Sequence, residues 1–322
     1  MPEPLAHRCA RESAARGEPL AGTASRVRRW MVVEQPGAWG HDAVTHSGLD
    51  ADVGRALADA ARAAGVRVLL ARRPGWQRAG EARRVFLAHS GAGARWLEQV
   101  DLPTDDQAAL LALDLRALAR AAPPGLGEPG PSALVLVCTN GRHDPCCADH
   151  GRPIVRRFAA LGVADVWECS HVGGDRFAGN LVFLPDGVYV GRVDADAAPG
   201  LVADYRRGLL DLGRYRGRSF HPPLVQVAEV HARTHLDERR LDGVTVVAAE
   251  ASSNDEATVH VAQRDGPTVE VVVIRRPGDP VHLTCRAPRP AVPWRYEVRT
   301  TRVLGPTGAS PPESPTDADP QT

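Results

Sequence analysis

The 322-residue sequence predicts an α/β fold of two tandem halves, followed by a small α+β appendage. Three observations predict it. The order strand, helix, strand, strand, strand, helix occurs twice, with equivalent elements about a hundred residues apart. A Pro/Gly-rich run, Pro123 to Pro131, separates the two copies. The texture changes again after Arg218, where a helix is followed only by strands.

The elements follow in order. Residues 1 to 24 read as a polar arm, and Arg29 to Glu34 (RWMVVE) as a buried strand. Asp50 to Ala64 places Val53, Ala56, Leu57 and Ala60 at helical spacing, and Gly65 closes the helix. Val66 to Leu70, Arg84 to Ala88 and Trp96 to Val100 are strands, and Asp105 to Ala122 is a long amphipathic helix. In the second copy Ala133 to Val137 is a strand that runs into the loop 138–151. Pro153 to Leu161 is a helix with proline in its first turn, and Ala164 to Glu168 is a strand. Leu181 to Leu184 and Val188 to Arg192 form a hairpin about Pro185-Asp186-Gly187, and Asp194 to Leu212 is a helix. A crossover helix joins parallel strands and a hairpin adds antiparallel ones, which is what a thioredoxin-like layer needs. The expected organisation is a polar arm (1–24), a thioredoxin-like half without cysteines (25–128), a thioredoxin-like half with the chemistry (129–218), a small α+β appendage (219–304) and a disordered tail (305–322). In the appendage Pro222 to Asp237 reads as a helix. Val244 to Ala248, Thr258 to Ala262, Val269 to Ile274 and Arg295 to Val303 read as strands.

Composition narrows the function. Hydrophobic residues make up 43% and charged residues 24%, the balance of a globular chain. The formal net charge is zero, which argues against a nucleic-acid footprint or an anionic-membrane patch. All 39 basic residues are arginine, read as base composition rather than as a recognition device. Met1 to Leu20 is charged throughout and has no apolar core of a signal peptide, and no run suits a membrane span. Six cysteines are too few for a disulfide framework in this length, so clustered cysteines read as metal or redox groups in a reducing cytoplasm. No G-x-S-x-G elbow, P-loop, dinucleotide fingerprint or C-x-x-C occurs. An aromatic content of 5%, with no pair of carboxylates standing out, argues against a sugar hydrolase.

The densest chemical signal is Cys138-Thr-Asn-Gly-Arg-His-Asp-Pro-Cys146-Cys147, directly after a buried strand. Loops at the carboxyl ends of parallel strands are where open α/β sheets place their sites. A loop with eight residues between Cys138 and Cys147 can turn two thiolates toward one centre. The second signal, Glu168-Cys169-Ser170-His171-Val-Gly-Gly-Asp175-Arg176, follows the next strand and is expected on the same sheet edge. His171 can ligate through one imidazole nitrogen, and Gly173 and Gly174 remove bulk where the loop passes close to something. Arg142, Arg152 and Arg176 stand beside these residues and can offset negative charge. Cys9 reads as an ordinary thiol of the arm and Cys285 as a small buried apolar residue. His143 and His150 read as hydrogen-bonding loop residues, and the other histidines, His41 among them, show no constellation.

These two stretches, with the runs Gly17 to Ala24 (GEPLAGTA) and Tyr215 to Arg218 (YRGR), resemble the sucrase/ferredoxin-like family over Cys9 to Ala228. Some members of that family are thioredoxin-like ferredoxins with a [2Fe–2S] cluster held by two cysteines and two histidines. The resemblance implies Cys138 and Cys147 on one iron and His171 as first ligand of the other. Asp175 stands where the second histidine would be, so the fourth ligand is open between Asp175, Cys169 and Cys146. The function implied is electron transfer to a redox partner protein, with no nucleic acid or membrane partner. The alternatives are a zinc-stabilised or vestigial binding module, and a thiol redox protein without a cluster.

Overall fold

The computed structural model describes residues 7–74 and 82–305. The chain is mixed α/β, with one ten-stranded sheet and one four-stranded sheet. Its elements run α1 (Cys9–Ala15), β1 (Arg29–Glu34), α2 (Ala51–Ala64), β2 (Arg67–Arg72), β3 (Ala82–Ser90), β4 (Arg95–Pro103) and the short β5 (Glu128–Pro129). There follow β6 (Leu134–Cys138), α3 (Pro145–Ala160), β7 (Val166–Cys169), β8 (Leu181–Leu184), β9 (Val188–Val190), α4 (Ala197–Arg206) and β10 (Tyr215–Arg218). The last part holds α5 (Pro223–His235), β11 (Val244–Ser253), β12 (Glu256–Gln263), β13 (Thr268–Pro277) and β14 (Trp294–Leu304).

The large sheet has the order β10-β9-β8-β6-β7-β2-β1-β3-β4-β5. β1 is parallel to β2 and antiparallel to β3, which is antiparallel to β4. β6 is likewise parallel to β7 and antiparallel to β8, which is antiparallel to β9. The two sets of four strands therefore have the same order and the same relative directions. They meet where β2 pairs with β7 in antiparallel fashion, Ala71 opposite Cys169 and Arg72 opposite Glu168.

Burial explains the run of apolar residues in β6, which is covered on both faces. Val135 and Val137 pack under α3 and α4 with Ile154, Phe158 and Leu201. Leu134, Leu136 and Cys138 face the other way, into a core that also takes Trp30, Val32 and Leu69 from the first set of strands. Cys138 is thus the last residue of a strand fixed from both sides. Helix α5 lies on the antiparallel meander β11-β12-β13-β14 and forms a separate core with its valines. Among the described residues no helix is long and apolar enough to cross a membrane.

Several expected elements differ. The helix expected over Asp105 to Ala122 is instead two short 3₁₀ turns, Gln107–Ala112 and Leu115–Ala119. Asp114 interrupts it: its carboxylate accepts from the backbone N–H groups of Arg116 and Ala117, which restarts the turn there. The helix expected from Pro153 begins eight residues earlier, at Pro145, with Asp144 as its cap and Pro153 inside it. The helix expected over Asp194 to Leu212 stops at Arg206, before Gly208 at φ +77°. The arm expected to be merely polar contains α1, whose Cys9, Ala10 and Ser13 are buried. The tail expected to be disordered lies outside the described residues from 306 onward.

Candidate metal centre

Two elements bring the first pair of sulfurs together. Cys138 ends β6, and Cys147 stands in the first turn of α3. Asp144 starts that helix by accepting from the Cys146 N–H at 2.8 Å, and Pro145 suits its first position. Gly151, one turn beyond Cys147 on the same helix face, lies directly over the end of β6. A methyl group there would stand 2.1 Å from the Cys138 carbonyl oxygen. The missing side chain lets the helix settle onto the strand end.

The loop after β7 supplies the other donors. Cys147 Sγ lies 3.8 Å from His171 Nδ1 and 3.3 Å from Asp175 Oδ1. Cys138 Sγ lies 4.0 Å from His171 Nδ1, and His171 Nδ1 is 2.9 Å from Asp175 Oδ1. The ligand atoms of Cys138, Cys147 and His171 all lie within 4.8 Å of one another. Gly173 and Gly174, at φ +100° and +80°, carry the loop past the Ser25 hydroxyl and the Arg216 guanidinium, where a Cβ would collide with either. Ser25 donates to the Val172 carbonyl at 2.9 Å and Arg67 to the His171 carbonyl at 2.8 Å.

The charges are arranged around this group. A hydrogen bond from Cys147 holds the Cys138 thiol well below the usual thiol range, against the cost of burial and with help from His171. Cys147 is correspondingly pushed up. Burial disfavours a charged His171, but its bonds to Asp175 and Cys138 outweigh that and raise it to about 9. The His171 ring stacks on His143 at 3.8 Å between centroids, and His143 stacks on the exposed His41 at 4.6 Å. This column of imidazoles lines an open cleft of about 250 Å³ with Arg67, Asn140 and Ser170. The cleft therefore reaches His171, the residue beside the buried sulfurs.

The remaining sequence candidates fall elsewhere. Cys146 turns to a different group, with its sulfur 3.3 Å from Cys285. Cys169 is fully buried and stands beside Cys138 in the strand register, but outside the set of mutually close donors. Arg142 and Arg152 are exposed, and Arg176 pairs with Glu18 at 2.7 Å, so none of the three touches the sulfurs. The nearby buried cation is Arg216 of β10. It donates to the Gly173 carbonyl at 3.1 Å and to Asn180 at 2.8 Å, and also to the Thr23 carbonyl. Its place inside the Tyr215-Arg216-Gly217-Arg218 run was the available sequence signal. His41 and His143 gave none, because 102 residues separate them.

Over 95 residues the chain is 30% identical to altered inheritance of mitochondria protein 32 of Meyerozyma guilliermondii. That alignment covers 26% of this chain and 34% of the yeast protein, so the chain spans about a third of its relative's length. No solved structure matches the chain. The sucrase/ferredoxin-like family matches residues 20–217, a stretch that contains both the cysteine loop and the histidine loop, and the chain belongs to that family.

Proposed function

We propose that this protein is a cytoplasmic electron carrier with a [2Fe–2S] cluster at Cys138, Cys147, His171 and Asp175, on two tandem thioredoxin-like halves. The observation that carries the reading is the convergence of Cys138, Cys147 and His171 within 4.8 Å beside a surface cleft, with the Asp175 carboxylate touching Cys147 and His171. The matching strand order of the two halves supports the scaffold. Two thiolates and an imidazole suit iron–sulfur ligation, and the carboxylate is its unusual member. When bound, such a cluster supplies one-electron transfer. The chain's own part is to bury the sulfurs, hold His171 through the Arg67 bond to its carbonyl and its stack on His143, and offer the His143–His41 edge to a redox partner protein. Arg26, Arg28, Arg29, Arg62 and Arg67 line a neighbouring groove of about 740 Å³, which favours a partner with an acidic face.

A second reading is one tetrahedral zinc ion. The close spacing favours it: ligands on one zinc stand about 3.5 Å apart, near the separations here. A two-iron core set between the thiolate pair and the His171–Asp175 pair requires those pairs to move apart.

Anaerobic purification from an iron-replete culture, with a visible spectrum and metal analysis, separates the readings. Visible absorption that bleaches on reduction, with about two irons per chain, is expected for the cluster. Its intensity is expected to fall sharply in Asp175→Ala and to persist in Cys146→Ser and Cys169→Ser. A colourless protein whose zinc is lost in Cys138→Ser supports the second reading. Absence of both metals rules out the two together.

A further inference from the structure

A second group of donors lies outside the site described above. Cys9 of α1, Cys146 of α3 and Cys285 of the segment between β13 and β14 bring their sulfurs to one point, 139 and 276 positions apart in the chain. Cys146 Sγ is 3.3 Å from Cys285 Sγ, and Cys285 Sγ is 3.6 Å from Cys9 Sγ. Cys9 Sγ lies 3.8 Å from each carboxylate oxygen of Asp144. All four side chains are buried, and their ligand atoms lie within 4.8 Å of one another. All three cysteines are free thiols.

We infer that Cys9, Cys146, Cys285 and Asp144 form a tetrahedral zinc site that ties α1 and the segment between β13 and β14 to the first turn of α3.

Donor chemistry and spacing point to this ion. Three thiolates and one carboxylate select a thiophilic divalent cation of tetrahedral preference over magnesium or calcium. A Zn–S bond of about 2.3 Å puts two sulfurs on one tetrahedral ion about 3.7 Å apart, close to the separations observed. Asp144 is the independent sign of a cation. It is wholly buried, and among the described residues no arginine or histidine forms an ion pair with it. Its oxygens accept the N–H groups of Cys146 at 2.8 Å and Cys285 at 2.6 Å, and besides these only the long contact of the Cys9 thiol at 3.8 Å, a proton that ligation would release. A buried carboxylate without a countercharge is costly, and a bound cation removes that cost. Neighbouring contacts already hold the first and last of these segments in register. His7 stacks on His282 at 4.1 Å, and its Nε2 lies 3.3 Å from the Thr284 carbonyl oxygen. On ligation each thiol gives its proton to solvent and no electron moves.

The test is zinc content of the full chain after purification from zinc-supplemented culture, in wild type, Cys9→Ala and Cys285→Ala. Wild type is expected to carry one more zinc per chain than either variant, with the metal and spectrum of the Cys138–Cys147 centre unchanged among the three. Cobalt titration of the Cys138→Ser variant gives a second measure. It is expected to show thiolate-to-cobalt absorption that disappears when Cys285→Ala is added. Equal zinc in wild type and both variants overturns the inference. So does zinc that leaves with Cys138→Ser instead of Cys285→Ala, or a cobalt-treated Cys138→Ser protein without thiolate absorption. Should Cys285→Ala fail to fold, the same cobalt titration of Cys138→Ser with Cys9→Ala added decides.

Discussion

Gly151→Val is expected to empty the Cys138–Cys147 centre, although it changes none of the donors. Even a single Cβ at this position meets the Cys138 carbonyl oxygen at 2.1 Å and its carbon at 3.1 Å. Both are backbone atoms of a strand packed on two faces, so neither can swing aside. The helix has to lift instead, and Cys147 one turn earlier lifts with it. Overpacking of this kind costs about 1–3 kcal/mol, occasionally more. The effect on the centre is larger than the effect on stability, since metal ligands tolerate only a few tenths of an ångström. Metal analysis and the visible spectrum are expected to show most of the metal lost, and Gly151→Ala to show a weaker form of the same defect. Full metal content in Gly151→Val would show that α3 does not set the distance between the sulfurs.

Glu229→Ala is expected to destabilise the protein by about 3–5 kcal/mol, the cost of breaking a buried ion pair from one side. Glu229 on α5 is 3% exposed and Arg233, one turn later, is 0% exposed. Glu229 accepts from Arg233 at 3.0 Å and from the Tyr215 hydroxyl at 3.1 Å, with Arg218 at 3.8 Å. Arg233 also donates to the Arg240 and Leu241 carbonyls at 2.8 and 3.0 Å. The cluster therefore joins the appendage to β10, and removal of the carboxylate leaves two buried guanidinium groups without it. Chemical denaturation is the measurement, with Glu229→Gln expected to lose less because it keeps an acceptor. Burial raises the Glu229 carboxyl, but Arg233 and Arg218 outweigh it and hold the group below its usual range. A depressed carboxylate contributes stability above its unfolded pKa and loses it as pH falls through the folded value. Wild type is thus expected to lose stability on acidification more steeply than Glu229→Gln. Parallel pH profiles would place the charge elsewhere.

The parts of this fold that were legible in sequence are those whose signal is local. The strands Arg29–Glu34 and Leu181–Leu184 coincide with their apolar runs, and the loop after β6 announced itself through clustered cysteines. Asp114 could not be weighed in advance, because a helical apolar pattern continues on both sides of it and only the cap geometry breaks the helix. The group formed by Cys9, Cys146 and Cys285 was invisible for a different reason. Its members are separated by more than a hundred residues, and each alone has an ordinary explanation. Arg216 was passed over because proximity in sequence pointed elsewhere. Arg142, Arg152 and Arg176 are near the ligands in sequence, while the arginine under the ligand loop comes from a strand at the sheet's far edge.

The junction between β2 and β7 has a consequence for anyone who would isolate the strands that carry Cys138 and Cys169. Within the whole chain β7 is an interior strand, with β6 on one side and β2 on the other. Cut free as residues 129–218, that half would expose the outer row of N–H and C=O groups on β7, next to Cys169 and the start of the His171 loop. An uncovered, apolar row of that kind pairs with whatever strand it meets, another copy included. The cysteine-free half therefore serves as a permanent edge guard, keeping the sheet beside the candidate centre from becoming a template for self-association.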